Sequence, residues 1–257
     1  MQRAIAASTL GTLATALALA AAAGCVANGG DESIIVLRNV LAGSSTGSCT
    51  FTSEATEVGL AQGALDVQRG TGYLFGAQLK SRITALTGQE DQRTIFTSGA
   101  NIDIAFPNTT VFSDAELAAF KSANLLHFKS PFTVPLHPNG TVTDIPFDLI
   151  PAELAVALQA KAGFTSVVAD ASFRIVGDLA GGEVTSQTFH YPVTILAAGL
   201  VLDKGECALL AASFVPRVGN ACNPGQDGVV DCCSDPRGLL ICPAVGTKTA
   251  FTGASGD

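Results

Sequence analysis

The chain contains no tryptophan, two tyrosines and three histidines among its 257 residues. Sugar-binding surfaces usually depend on exposed tryptophan or tyrosine rings, so this scarcity argues against a lectin of that kind. A catalytic metal centre with three histidine ligands would need His127, His137 and His190 brought together from distant segments. The sequence therefore predicts no catalytic residue, no metal ligand and no cofactor.

Basic residues are also few, at 14 Lys and Arg against 22 Asp and Glu, which gives a net charge of −8. No run of Lys or Arg occurs anywhere. A chain this acidic repels a phosphate backbone, which excludes nucleic acid as an expected partner. The segment "GTGYLFG" (70–76) lacks the Lys and Ser/Thr of a phosphate-binding loop.

Only the amino terminus carries a long apolar run. Arg3 precedes about twenty small and apolar residues without charge, a pattern that predicts a signal peptide over residues 1–24. The run ends Ala-Ala-Gly-Cys (22–25), which resembles the lipobox of bacterial lipoproteins. The resemblance implies that Cys25 is acylated and becomes the first mature residue. The mature chain would then have a net charge of −9, because Arg3 is the only charged residue removed.

Two alternatives for this segment stay open. It could be a transmembrane anchor, since its length almost suffices to cross the hydrocarbon core. It could also be an ordinary secretory signal cut near the same place. Lipidation is favoured, and two or three acyl chains hold a protein stably on a bilayer. Val26 follows Cys25 instead of the Asp that signals inner-membrane retention, so the same resemblance favours a lipid anchor in the outer membrane, on its surface or periplasmic face.

If Cys25 carries lipid, six cysteines remain, and an even number in an oxidising compartment predicts three disulfides. They are Cys49, Cys207, Cys222, Cys232, Cys233 and Cys242. Six cysteines allow fifteen connectivities. Five of these cysteines lie in residues 207–242, so Cys49 must bridge to that tail if all are oxidised. Cys232 and Cys233 should take different partners, because a disulfide separates its two Cα atoms further than one peptide bond does.

Metal binding and redox chemistry are the alternatives for the tail segment "CNPGQDGVVDCC" (222–233). Structural zinc usually shows two separated Cys pairs, and here the spacing differs and no histidine is near. A redox-active thiol is the third possibility. Asp227 and Asp231 lack the alternating ligand pattern of a calcium loop, so we expect them in a solvated turn.

Residues 33–200 are dominated by a period of two, which is typical of strands with one buried face. In "VVADASFRIVG" (167–177) the apolar residues alternate with Asp170, Ser172 and Arg174. "NIDIAF" and "GYLFGAQLK" alternate in the same way. The segment "FHYPVTIL" (189–196) predicts a strand that forms a hairpin with the strand over 167–177. His190 should face away from its apolar side, and Pro192 should lie at an edge or a break. His127 is expected within a strand.

Two short helices are predicted. The first starts with a capping box formed by Ser113 and Glu116. The second has Pro151 at its first position, Lys161 in its last turn and Gly163 as its C-cap. Its apolar stripe would be Leu154, Leu158 and Ala162.

These patterns predict a mainly β fold, an antiparallel immunoglobulin-like β-sandwich with one or two short helices and a disulfide-rich C-terminal segment. The expected organisation is a signal peptide over 1–24, a lipidated tether over 25–32, the sandwich over 33–200 and the cysteine-rich segment over 201–257. The end of the chain, "GTKTAFTGASGD", is expected to be loose.

Several stretches resemble a family of uncharacterised lipoproteins of myxobacteria. They are "GALDV" with Tyr73 and Gln78 after it, "LIPAELAVAL", "GDLAGGEVTSQTFHYPV" and "CNPGQDGVVDCC". The resemblance implies an outer-envelope lipoprotein with a β-rich body and an oxidised cysteine tail, and it carries over no functional residue. In one respect this chain departs from its relatives. They place a close cysteine pair after the Tyr-Pro-Val strand, where this chain has "TILAAGLV".

The expected function is a non-catalytic envelope lipoprotein with a structural or protein-interaction role. Its partners would be the lipid bilayer, through acylated Cys25, and other envelope proteins. The alternative is an exported hydrolase or a small-ligand or metal-binding lipoprotein. "GSSTG" (43–47) matches the string of a nucleophile elbow, but its Ser, Thr and Gly neighbours favour a flexible loop. A pocket gathering His127, His190 or paired carboxylates would favour the alternative.

Overall fold

The computed structural model describes residues 33–43, 49–51, 59–85, 87, 93–107, 111–211, 213–220 and 222–243. The signal peptide, Cys25, the tether, Ser44–Gly47 of the "GSSTG" string and the terminal segment from residue 244 lie outside the described residues.

The strands of the larger sheet are β4 (Gly63–Asp66), β6 (Ile95–Ala105), β7 (His127–Ser130), β8 (Pro135–Leu136), β10 (Ser166–Leu179), β11 (Gly182–Thr185) and β12 (Phe189–Leu196). Their order in the sheet is β4-β12-β10-β6-β7, with β11 paired to β10 and β8 paired to β6. All of these pairings are antiparallel except that of β4 with β12, which is parallel.

A second, antiparallel sheet has the order β1-β5-β9 and covers one face of the first. Its strands are β1 (Ile34–Val40), β5 (Tyr73–Ser81) and β9 (Val142–Ile150). Phe75 of β5 shows how the two layers meet. Its ring centroid lies 5.1 Å from that of Phe173 and 4.9 Å from that of Tyr191, both in the larger sheet. The prediction of a mainly β fold with antiparallel sheets in a sandwich-like arrangement is confirmed.

The alternation of apolar and polar residues correctly predicts which side chains of β10 are buried. Ala169, Ala171, Phe173 and Ile175 are buried, and the residues between them face outward or are half-buried. β12 pairs with β10 as expected. Pro192 is expected at an edge or a break, and it lies where β12 is paired with β10 alone, because pairing with β4 begins only at Val193. The missing amide hydrogen therefore falls at a local edge, although β12 as a whole lies inside the sheet.

Both predicted helices are present. Helix α1 (Asp114–Ser122) starts with the Ser113–Glu116 capping box in both directions. Helix α2 (Ala152–Gln159) follows Pro151, which is its N-cap residue. Lys161, just after α2, donates a hydrogen bond to Glu116 in the first turn of α1. This hydrogen bond is the main reason that the pKa of Glu116 falls to about 2.

The predicted carboxyl end of α2 is wrong. The helix ends at Gln159, so Lys161 lies beyond its last turn. Gly163 does adopt a left-handed φ of 72°, but outside the helix. The chain must turn early because Phe164 is buried two residues before β10 begins. Ala162 is accordingly exposed rather than part of the apolar stripe.

The tail forms a small sheet of β13 (Val201–Glu206), β14 (Val230–Ser234) and β15 (Leu240–Ile241), while β2 (Ala42–Gly43) pairs with β3 (Thr50–Phe51) near Cys49. Three disulfides join Cys49 to Cys222, Cys207 to Cys233, and Cys232 to Cys242. The prediction that Cys49 bridges to the tail is confirmed, as is the prediction that Cys232 and Cys233 take different partners.

Candidate functional site

The tail enters the sandwich through residues 223–227. The side chain of Gln226 mimics a strand neighbour of β5, because it accepts from the Leu74 amide at 2.9 Å and donates to the Leu74 carbonyl at 2.7 Å. Asn223 donates to the Gly72 carbonyl at 2.6 Å. On the other side, the Asp66 amide donates to the Gly225 carbonyl at 2.8 Å. This segment therefore fills the space between β4 and β5.

A network of polar side chains lies where the tail meets the two sheets. Tyr73 donates to Asp227 Oδ2 at 2.7 Å, and the hydroxyls of Tyr73 and Tyr191 lie 3.2 Å apart. Asn39 donates to the Tyr191 hydroxyl at 3.1 Å, and the Ala64 amide donates to Asp227 Oδ1 at 2.8 Å. We call Asn39, Tyr73, Tyr191, Gln226 and Asp227 the polar joint.

Burial controls the protonation of the polar joint. Desolvation raises the pKa of Asp227 above its ordinary value, although its hydrogen bonds oppose the shift. Burial, followed by the nearby Asp227 carboxylate, raises the pKa of Tyr73 far above its ordinary value. Burial also raises the pKa of Tyr191 to about 12. Both tyrosines therefore stay protonated at neutral pH, and Tyr73 can donate its hydroxyl hydrogen to Asp227.

The polar joint leaves no room for a ligand. The cavity beside Tyr73 and Asp227 has a volume of about 10 Å³, which is at the limit for one water molecule. The polar groups of this network hydrogen-bond to one another and so connect the tail to the sandwich.

The two tail aspartates are not in a solvated turn, contrary to expectation. Asp227 belongs to the polar joint. Asp231 is 4% exposed and receives two hydrogen bonds from the Arg217 guanidinium, at 2.9 and 2.7 Å. Lys204 lies 3.2 Å from the same carboxylate. The hydrogen bonds from Arg217 hold the pKa of Asp231 well below its ordinary value.

Asp66 is a further buried carboxylate that the sequence did not single out. It accepts from the Gln68 amide at 2.9 Å and from the Leu200 and Val201 amides at 2.9 and 3.0 Å. These bonds fix the start of β13 against the end of β4, so the role of Asp66 is to hold the tail sheet on the sandwich.

The outer face of the larger sheet carries a row of polar side chains across four adjacent strands. In register, His127 of β7 lies opposite Asp103 of β6, Asp103 opposite Ser172 of β10, and Ser172 opposite His190 of β12. His127 Nδ1 lies 2.5 Å from Asp103 Oδ1, and His190 Nδ1 lies 3.8 Å from Asp170 Oδ1. Two of the three histidines thus share one row, with the strands β10 and β6 between them.

A second row lies beside the first. Lys129 of β7 is opposite Asn101 of β6, and Asn101 is opposite Arg174 of β10. Arg174 Nε donates to Thr188 Oγ1 at 2.7 Å. The two rows border a groove of about 420 Å³ lined by Asn101, Asp103, His127, Ser172, Phe173, Arg174 and Thr188. We call this surface the polar groove.

Ser172 has neighbours that a nucleophile would need, but its hydroxyl is turned away from them. It donates to the Asp103 carbonyl at 3.5 Å, and no described imidazole hydrogen-bonds to it. His190 lies opposite Ser172 in register, but its Nδ1 lies 3.8 Å from Asp170 Oδ1, and Asp103 stands between Ser172 and His127 in strand order. The arrangement can bind a polar ligand more readily than it can activate a hydroxyl.

The part of the chain that the structure describes contains no group of three or more His, Cys, Asp or Glu side chains that could hold a metal ion. Among the same residues, no helix combines the length and the apolar character needed to cross a membrane. His137 lies apart from the other two histidines, 3.4 Å from Thr94 Oγ1.

No protein-family model, no curated protein and no solved structure matches this chain. The resemblance to myxobacterial lipoproteins therefore stays a prediction, and the function has to be inferred from the residues themselves.

Proposed function

We propose that this protein is an exported lipoprotein of the bacterial envelope, anchored to the outer membrane through acylated Cys25, with a non-catalytic structural or interaction role. The observation that carries the proposal is the pairing of the other six cysteines in three disulfides. Structural disulfides persist in oxidising compartments outside the cytoplasm. Export agrees with the signal pattern that ends at Cys25.

The architecture of the protein favours a structural or interaction role over an enzymatic one. The Cys49–Cys222 disulfide, Asp66 and the polar joint each hold the tail against the sandwich. The polar joint encloses only a cavity at the limit for one water molecule. The hydroxyl of Ser172 is not hydrogen-bonded to a described base. A rigid, acidic body on a lipid tether suits contacts with other envelope components.

Cys25→Ala followed by membrane fractionation tests the anchor, with Val26→Ala as the matched control because it leaves the thiol in place. The wild-type and Val26→Ala chains should sediment with membranes and incorporate labelled fatty acid. The Cys25→Ala chain should do neither. A Cys25→Ala chain that remains on membranes would point to a helical anchor, and a wild-type chain found free in the periplasm would point to an ordinary secretory signal. Either result would overturn the proposal.

A further inference from the structure

We infer that the polar groove binds an acidic sugar, with its carboxylate at Arg174 and its hydroxyls at Asp103 and Asn101. This inference goes beyond the proposed function and does not depend on the lipid anchor. It rests on the two rows of side chains that the strand register sets side by side on the outer face of the larger sheet.

The cationic half of the groove is suited to a carboxylate. Arg174 is exposed, and the hydrogen bond from its Nε to Thr188 fixes the orientation of the guanidinium. Within the described residues, Arg174 forms no ion pair, although the whole chain carries a net charge of −8. Lys129 stands on the other side of Asn101 and is hydrogen-bonded to the Ser98 hydroxyl at 3.0 Å. An oriented guanidinium can receive both oxygens of a carboxylate.

The other half of the groove offers acceptors and donors for hydroxyl groups. Asp103 uses one oxygen to hold His127, and a carboxylate has about four acceptor sites in all. The side-chain amide of Asn101 makes no hydrogen bond to another described residue and points to the same face as Asp103. Asp103 and Asn101 are two positions apart on one strand, or about 7 Å, which is comparable to the width of a sugar ring.

The same arrangement discriminates against other ligands. Asp103 would repel a phosphate dianion at Arg174 about twice as strongly as a singly charged carboxylate at the same place. A neutral sugar would lack the ionic contact, and the groove has no exposed aromatic ring for stacking, since Phe173 in its floor is 1% exposed. The scarcity of exposed tryptophan and tyrosine therefore argues against binding of neutral sugars but leaves room for an acidic one.

Titration of the full chain with glucuronate, glucose, acetate and inorganic phosphate, followed by NMR, tests the inference. Glucose lacks only the carboxylate and acetate lacks the ring, so glucuronate should bind more tightly than either and more tightly than phosphate. The shifted amides should belong to β6, β7 and β10. Absence of glucuronate binding would overturn the inference, as would phosphate binding equal to or tighter than glucuronate binding.

Arg174→Gln should weaken glucuronate binding about tenfold or more, because a charge-assisted pair is lost. Lys121→Gln on α1 removes the same charge from an exposed site elsewhere and should leave the affinity unchanged. Asp103→Asn provides a second variant and should weaken glucuronate more than acetate, since only the sugar uses its hydroxyl contacts. If Arg174→Gln and Lys121→Gln lost the same amount of glucuronate affinity, the loss would reflect the net charge of the protein, and the binding site at Arg174 would be refuted.

Discussion

Removing the Cys49–Cys222 disulfide by replacing both cysteines with serine should destabilise the protein by roughly 5 kcal/mol in the chain-entropy model. The bridge joins residues 173 positions apart, and the entropy that such a link removes from the unfolded chain grows with the logarithm of the loop length. The Cys207–Cys233 bridge hardly shortens the route between the two ends, because both of its cysteines lie in the tail. Loss of packing should add little, since Cys49 is exposed and Cys222 is half-buried.

Urea unfolding measures both the midpoint of the transition and the slope of the free energy of unfolding against urea concentration. The midpoint should fall, and the slope of the free energy of unfolding against urea should rise, because the unbridged unfolded chain exposes more surface. Replacing Cys232 and Cys242 by serine provides the comparison, as that bridge spans only 10 positions and should raise the slope less. A loss below about 1 kcal/mol with an unchanged slope would show that the long bridge does not restrict the unfolded chain as argued.

Replacing Tyr73 with phenylalanine should cost about 1–3 kcal/mol in urea unfolding, because half-buried Asp227 loses its hydroxyl donor at 2.7 Å. An unchanged midpoint would contradict this. The raised pKa of Tyr73 also means that the wild-type chain should lose stability as the pH rises above about 10, the value of an exposed tyrosine, and Tyr73→Phe should flatten that decline. The lowered pKa of Asp231 stabilises the fold above about pH 3.8, and this stabilisation is lost as the pH falls below that value. Asp231→Asn should therefore be less stable at pH 7 and less sensitive to acid. Parallel curves of unfolding free energy against pH for the variant and the wild type would refute the role of Arg217. Ser113→Ala should cost about 1 kcal/mol and speed hydrogen exchange in α1, whereas unchanged exchange would mean that the capping box is dispensable.

The sequence predicted the strands of the sandwich well because one physical rule decides them. Alternation in β10 indicates which side chains enter the core, and the structure buries those same side chains. The disulfides were partly predictable by counting, since five tail cysteines cannot pair among themselves. Counting could not choose the partner of Cys49, because that choice depends on where the tail packs.

The polar joint could not be assembled from the sequence. Tyr73 and Asp227 are 154 positions apart, and a period of two tells which face a tyrosine occupies but not which carboxylate it meets. One signal was present, since the only two tyrosines of the chain both lie in alternating segments, in step with apolar residues, and a buried tyrosine hydroxyl needs a partner. The polar groove depends in the same way on register between β6, β7, β10 and β12.

The carboxyl end of α2 illustrates a different limit. A glycine after an apolar stripe predicts a C-cap by local rules, but the need to bury Phe164 ended the helix earlier. Tertiary packing therefore overrode a local signal.

Intact mass of the protein extracted from membranes, measured before and after reduction, reports the lipid anchor and the disulfides together. The chain should begin at Cys25 and carry the mass of its acyl groups, with a gain of six hydrogens on reduction for the three disulfides. A mass that corresponds to a chain still beginning at Met1 and shows no change on reduction would contradict this expectation.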